Sequence, residues 1–453
     1  MAKDRNEAVA RRAVRFAASA ACALFALGHA AAQSVLRDAE IEEWLADYSH
    51  PLMEAAGVAP ASIDILLIGD NTLNAFAGPG VMGVHTGLIT TAKTPNQIEG
   101  VLAHEVGHLA GAHAVRSAEA YARAGRPALM SMVLGAALIA AGAPPEAGIG
   151  AIGLGQNVAR SNILAYSRGQ ESRADQSGAA YLEAVGSSTD GLIEFFGILS
   201  NRQLISARTI DPYAVTHPLG QARMSALRER AAKNEAPGDD EAAILRLRMI
   251  QAKINGFMDA PYTTLRRYPL SDQSPPARYA RAVAYYRSSD LESARREIDR
   301  LIEAAPDNPY FAELLGQMLF EHGYVAEAVA PHRRSVELAP QHPILKVNLA
   351  RALIATETDE NVAEAIGLLN VALDLEADNA FAWTELARAQ ARLGNEPGAA
   401  LAQAEAYYHR RALPEAHRFA TLAAEQFEPG SPEHTQALDI VGASVDAARR
   451  ARR

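Results

Sequence analysis

The sequence predicts a mainly α chain with a small β-sheet, in which an α+β domain is followed by an α-solenoid of paired helices. Three observations predict it. In the C-terminal third, Pro306 and Pro340 lie 34 residues apart, as do Pro309 and Pro343. Around residues 62–69 apolar side chains alternate, as in a strand buried on one face. Elsewhere the apolar spacing is helical, punctuated by capping residues, Gly and Pro. At 453 residues the chain has room for two or three domains, and its 49% apolar and 21% charged content is that of an ordinary globular protein. The formal charge is −10, which gives no sign of the basic face of a nucleic-acid binder, so no nucleic-acid partner is expected.

The N-terminus differs in kind. Arg11, Arg12 and Arg15 precede the apolar run Phe16 to Gly28, and Ala30-Ala31-Ala32 follows. A basic region, a short apolar core and an A-x-A site describe a cleavable signal peptide over residues 1–32. An uncleaved anchor or a mitochondrial presequence is the alternative, and Asp4 and Glu7 weigh against the presequence. In a bacterial host the signal places the chain in the periplasm. Cleavage removes five basic and two acidic residues, leaving a formal charge of −13, and removes Cys22, the only cysteine. Any metal must then be held by His and carboxylate.

From residue 33 to about 60 the pattern is an N-terminal helix. "SIDILLIG" (Ser62 to Gly69) reads as a half-buried strand, and "NTLNAFAGPGVMGVHTGLI" as a Gly/Pro turn and a return strand. A helix is expected from Thr94 to about Arg116, with Thr94 as cap, Pro95 in the first turn and Gln97 completing a capping box. Pro127 to Gly155 is the most apolar stretch after the signal. Interrupted by Pro144-Pro145 and glycines, it reads as a buried helical hairpin, with a membrane-touching or substrate-gating flap as the alternative. Helix resumes from about Asn157 to Ala184. The polar break "KNEAPGDDE" ends a domain spanning 33–240, and 241–273 connects it to repeats over 274–453. The 34-residue period, with two amphipathic helices per unit, is that of tetratricopeptide repeats. About four units cover Ser274 to Tyr408, and a last helical pair follows.

Within the first domain, "VLAHEVGHLAGAH" (Val101 to His113) carries H-E-x-x-H. His104 and His108, four apart, offer two imidazoles to one ion from one helix face. Glu105, about 100° around the helix, sits beside that ion, where it could take a proton from a metal-activated water. This is the zinc hydrolase spacing. A catalytic zinc also needs a third protein ligand and an open position. Gly111 stands where one zinc pattern places glycine, but His113 comes one residue early and position 114 is Ala, so a third His there is ruled out. Glu119 has no partner carboxylate one turn on, and Glu146 sits beside Pro144-Pro145, where a regular helix is not expected to hold it. Glu171, in "SRGQESRADQSG", fits better. Asp175 lies one turn later and could fix a ligand histidine's tautomer, and Arg168 one turn earlier could orient either carboxylate. Taken alone, that stretch reads more readily as a solvated charged face, and its company with H-E-x-x-H in the same domain is what favours the ligand reading.

"LAHEVGHLAGAH", "SRGQESRADQSG" and "NAFAGPGVMGVHTGLI" resemble the gluzincin metallopeptidases, which include the CAAX prenyl endopeptidases and the bacterial heat-shock membrane protease. The resemblance implies a zincin-type peptidase domain with one Zn2+ per chain. It makes His104, His108 and Glu171 the ligands, Glu105 the general base and Asp175 the carboxylate behind them. His217, in "THPLGQARMSALR", matches a loop histidine that in this group can approach the zinc and hold the enzyme inactive. From its chemistry alone it could be a fourth ligand, an oxyanion donor or a plain loop residue. Arg223 lies near positions that could stabilise an oxyanion. An extended substrate could add a strand along the edge near Asn74, Val81, Met82 and Val84.

Signal peptide, peptidase domain and repeats in this order are similar to periplasmic members that act as protease and chaperone in outer-membrane protein biogenesis. That implies unfolded or misassembled envelope proteins as clients, the outer-membrane assembly machinery as a partner of the repeats, and peripheral membrane contact through 127–155. The competing reading is a repeat-based chaperone or adaptor whose metal site is structural or shut. A general peptide scavenger is a third.

Overall fold

The computed structural model describes residues 34–113, 130–132, 134, 145–205, 217–218 and 220–451. The signal-peptide reading of residues 1–32, with Cys22, lies outside the described residues, as do Glu119 and most of the 127–144 apolar stretch.

Among the described residues the sheet has four strands in the order β1-β2-β4-β3. β1 (Ser34–Leu36) precedes α1 (Ala39–Ala55), so the segment expected to be wholly helical begins as a strand. β2 (Asp64–Gly69) pairs antiparallel with β1 and parallel with β4 (Val81–His85). The Gly/Pro turn makes a hairpin of β3 (Ala75–Gly78) and β4, with Gly80 at φ +76° supplying the left-handed residue. β4 is therefore an inner strand. Trp44, Leu45, Leu52 and Met53 of α1 are buried in one core with Leu67, Met82 and Val84 of the sheet.

After the short helix α2 (Thr86–Thr91), α3 (Pro95–Ala110) carries H-E-x-x-H, and it ends six residues earlier than the apolar pattern suggests. Thr94 makes no side-chain cap bond to the helix; instead the Gln97 side chain accepts from the Lys93 amide at 2.9 Å. α4 (Pro145–Ala184) is a single 40-residue helix. This corrects two expectations. Pro145 is its first residue, where a missing N–H costs nothing, so Glu146 lies inside a regular helix. Residues 145–155 form the start of α4, and Met130 (73%), Met132 (48%) and Leu134 (56%), expected to be buried, are exposed. Among the described residues no helix is long and apolar enough to cross a membrane.

α5 (Asp190–Ile205) and α6 (Gln221–Ala231) complete this part of the fold, and residues 232–240 are irregular. α7 (Glu241–Met258) faces two ways: Leu247, Ile250 and Ile254 join the first core, while Met249 and Ala252 join that of the first repeat. Its buried Lys253 lies 2.7 Å from Asp38 and 3.1 Å from Glu40, and Tyr279 of the repeats donates to Glu40 at 2.6 Å.

After the short α8 (Pro261–Arg267), four helical hairpins run from Pro275 to His409, and the pair Leu413–Ala424 and Pro432–Ala451 follows. The turns inside the four hairpins carry left-handed residues at 289, 323, 357 and 394, spaced 34, 34 and 37 residues apart, which is the 34-residue period and its three-residue enlargement. A cavity of about 520 Å³, lined by residues such as Ile254, Glu313, Phe320, Arg351 and Phe381, separates the start of α1 from the inner repeat helices.

Candidate metal centre

Two helices cross closely enough to build the site because both carry glycine at the contact. A Cβ on Gly107 of α3 would stand 2.7 Å from the Ala174 carbonyl, and one on Gly178 of α4 would stand 2.8 Å from the Ala103 carbonyl. With the backbones this near, the His104–His108 face of α3 meets the Glu171–Asp175 face of α4.

The side chains of His104, His108, Glu171 and His217 converge, each offering a donor atom within 4.8 Å of the others. His104 Nε2 lies 3.1 Å from His108 Nε2 and 3.2 Å from His217 Nδ1. Glu171 lies 3.4 Å from each of the Nε2 atoms of His104 and His108, and 3.0 Å from His217 Nδ1. A tetrahedral ion with ligands at about 2.0–2.1 Å holds its donors about 3.3 Å apart. The observed separations match that edge length. Imidazole nitrogens aimed at one point repel unless a proton or a cation lies between them, so the donor set fits a metal ion.

The electrostatics point the same way. Burial disfavours a charged His104, but Asp175 and Glu171 outweigh it and raise its pKa to about 10. Burial, and then the positive His104, push His108 down to about 2. Burial alone would raise Glu171; hydrogen bonds from His104 and His217 hold it well below the usual carboxylate range. A cation where the four donors meet would satisfy the carboxylates and free the imidazoles of that proton.

Glu105 is buried beside this point, with Oε1 3.7 Å from His217 Nε2. Asp175 lies behind His104: its Oδ1 is 3.0 Å from Nδ1, an ion-pair distance whose angle falls short of a well-formed hydrogen bond. Arg223 grips Asp175 with two bonds, of 2.6 and 2.8 Å, lies 3.2 Å from Glu171, donates to the Pro218 carbonyl at 2.9 Å and stacks over Phe196. Burial would raise Asp175, but this fork and His104 hold it low.

Three expectations change here. The guanidinium that orients the carboxylates is Arg223, while Arg168 is exposed; and Arg223, spent on carboxylates, is not aimed at an oxyanion. Val81, Met82 and Val84 cannot form a substrate edge, because β4 is bonded to strands on both sides. The free edge next to α3 is β3, and Asn74 immediately precedes it. The sequence reading also passed over His113. It is buried, and its Nδ1 lies 3.0 Å from His108 Nδ1, behind the ligand and not on the ion. Its five-residue offset from His108 was the available signal.

An H-E-x-x-H helix crossed by a carboxylate-bearing helix, with imidazole and carboxylate donors at a buried point, defines a metallopeptidase. Residues 39–231 match the family model for Peptidase family M48. A Vibrio cholerae relative is 26% identical over 88% of this chain and 83% of its own length. The beta-barrel assembly-enhancing protease of Escherichia coli K12 is 24% identical over 88% of this chain and 81% of its own. Among solved structures, that of MamA aligns with 38% of this chain and 97% of its own, at 18% identity and a TM-score of 0.29.

Proposed function

We propose that the chain is an exported zinc metalloendopeptidase that acts in the quality control and assembly of outer-membrane proteins. The observation that carries the enzymatic reading is the convergence of His104, His108 and Glu171 at tetrahedral spacing, with Glu105 beside them. Zinc held by those three side chains would supply Lewis acidity and acidify a water. Glu105 takes the proton and returns it to the leaving amine. Asp175, braced by Arg223, holds His104 with Nε2 facing the ion.

His217 fills the fourth corner, where water would sit, and its Nε2 faces Glu105. This supports self-inhibition by His217, relieved when the loop that carries it withdraws. The names of the Escherichia coli and Yersinia pestis relatives, both beta-barrel assembly-enhancing proteases, support the periplasm as its place. They also support unfolded or misassembled envelope proteins as clients and the outer-membrane assembly machinery as a partner of the repeats. Exposed Met130, Met132 and Leu134 support peripheral membrane contact through that stretch. The second reading, a chaperone or adaptor with little proteolysis, draws on the same closed corner, since a zinc with four protein ligands is usually structural.

The test compares the wild-type chain with Glu105→Gln and His217→Ala, measuring zinc content and cleavage of an unfolded protein. All three are expected to hold one zinc, Glu105→Gln to lose activity by at least about 100-fold, and His217→Ala to cleave faster than wild type. Full zinc with no cleavage by any of the three would favour the adaptor.

A further inference from the structure

We infer that His113 is a positioning residue for the metal ligand His108, and that the turn after α3 is built to hold it there; the inference rests on the metal reading above. His108 points Nε2 at the ion position, 3.4 Å from Glu171, so its Nδ1 faces away. The atom it faces is His113 Nδ1, at 3.0 Å. Two ring nitrogens at that distance share one proton, and a ligating imidazole must keep its Nε2 lone pair free. His108 Nδ1–H therefore donates, His113 Nδ1 accepts, and His113 carries its own proton on Nε2. The acceptor fixes both the tautomer and the ring angle of the ligand, as a carboxylate or carbonyl does behind other metal-bound histidines. His104 has Asp175 for this purpose. His113 gives His108 the same support without a charge.

The backbone is shaped around this contact. α3 ends at Ala110, and Ala112 then takes φ +48°, a left-handed conformation that turns the chain back on itself. The His113 ring comes to rest over Gly111, where a Cβ would stand 2.4 Å from Nε2. Glycine at 111 is thus the seat of the ring. From the other side, Gln170, next to Glu171 on α4, donates to the His113 carbonyl at 3.3 Å and to the Tyr166 hydroxyl at 3.0 Å. The turn is tied to the helix that supplies the third ligand. A histidine five residues after the motif, too early to be a ligand itself, is at the right distance to orient one.

The test uses the full chain and zinc alone as probe, with the dissociation constant read by competition with a chromophoric chelator. His113→Ala is expected to weaken zinc by about 10- to 100-fold. His113→Gln, whose carbonyl oxygen can accept from His108, should recover most of that loss. Gly111→Ala keeps every ligand and every histidine, and should weaken zinc in the same direction by unseating the ring. Far-ultraviolet circular dichroism and the metal-free melting temperature identify variants that have lost the fold. Folded His113→Ala and Gly111→Ala with wild-type affinity would overturn the inference and leave the metal site standing. Equal loss in His113→Ala and His113→Gln would also overturn it, since acceptance is then not the role. A wild-type chain that takes up no zinc would overturn the site itself.

Discussion

At the residue scale, the site is held by pairs that would each be costly to break. Arg223 and Asp175 are both buried and bonded twice, so each removes the other's desolvation penalty. Arg223→Met leaves the buried Asp175 carboxylate without its two-bond partner, with only His104 beside it, and is expected to destabilise the metal-free chain by about 3–5 kcal/mol in urea denaturation. Adding Asp175→Leu should restore much of that, because an apolar pair in the same space needs no hydration. Single and double variants of equal stability would show that the fork contributes nothing. Three of the four converging residues, His104, His108 and Glu171, stand in H-E-x-x-H and E-x-x-x-D, which are local patterns on one helix face, whereas His217 was named only by the resemblance. The exposure of Arg168 was not legible. One turn on a helix specifies a neighbour, but not whether core or solvent lies beyond it.

At the element scale, the two helices meet through glycine. Gly107→Ala inserts a methyl 2.7 Å from the Ala174 carbonyl, a backbone atom that cannot swing aside. The helices must separate, at a cost of about 1–3 kcal/mol by the general expense of overpacking. Zinc affinity should fall with stability, because ligands on both helices move apart. Calorimetry with and without zinc measures both, and an unchanged Tm in the two states would refute the close-crossing account. Helix existence was readable from periodicity and caps. Strand order was not: alternation identifies a strand, but its neighbours follow from long-range pairing, which here runs β2 parallel to β4 and leaves β3 at the edge. A substrate edge was therefore placed on the wrong strand of the hairpin. The proline pair in front of α4 misled in another way, since a proline that breaks a helix interior is favoured at its first turn.

At the scale of the whole molecule, α7 and the Lys253–Asp38–Glu40–Tyr279 group join the peptidase domain to the repeats. Glu313 lines the cavity between them. Burial raises its pKa to about 7, opposed by Lys253 and reinforced by Asp38 and Glu40. A carboxylate whose pKa is higher folded than unfolded binds more protons in the folded state, so stability falls as pH rises from about 4 through 7. Glu313→Gln removes that penalty and can still accept from Asn348. It should stabilise the chain by about 1–3 kcal/mol at pH 8 and by little at pH 4.5, read as the difference in Tm between the two. A gain equal at both pH values would point to packing instead of charge.

The sequence by itself determined the kinds of element, the repeat period and the residues able to hold a metal, because these rest on periodicity and chemistry within one or two helical turns. Only the tertiary structure decided that His217 joins the other three donors, which arginine braces the carboxylates and which histidine stands behind His108. Those assignments depend on how closely two helices cross and how one turn folds back. Both are set by atoms that glycine lacks and by partners up to about a hundred residues away, as for His104 and His217.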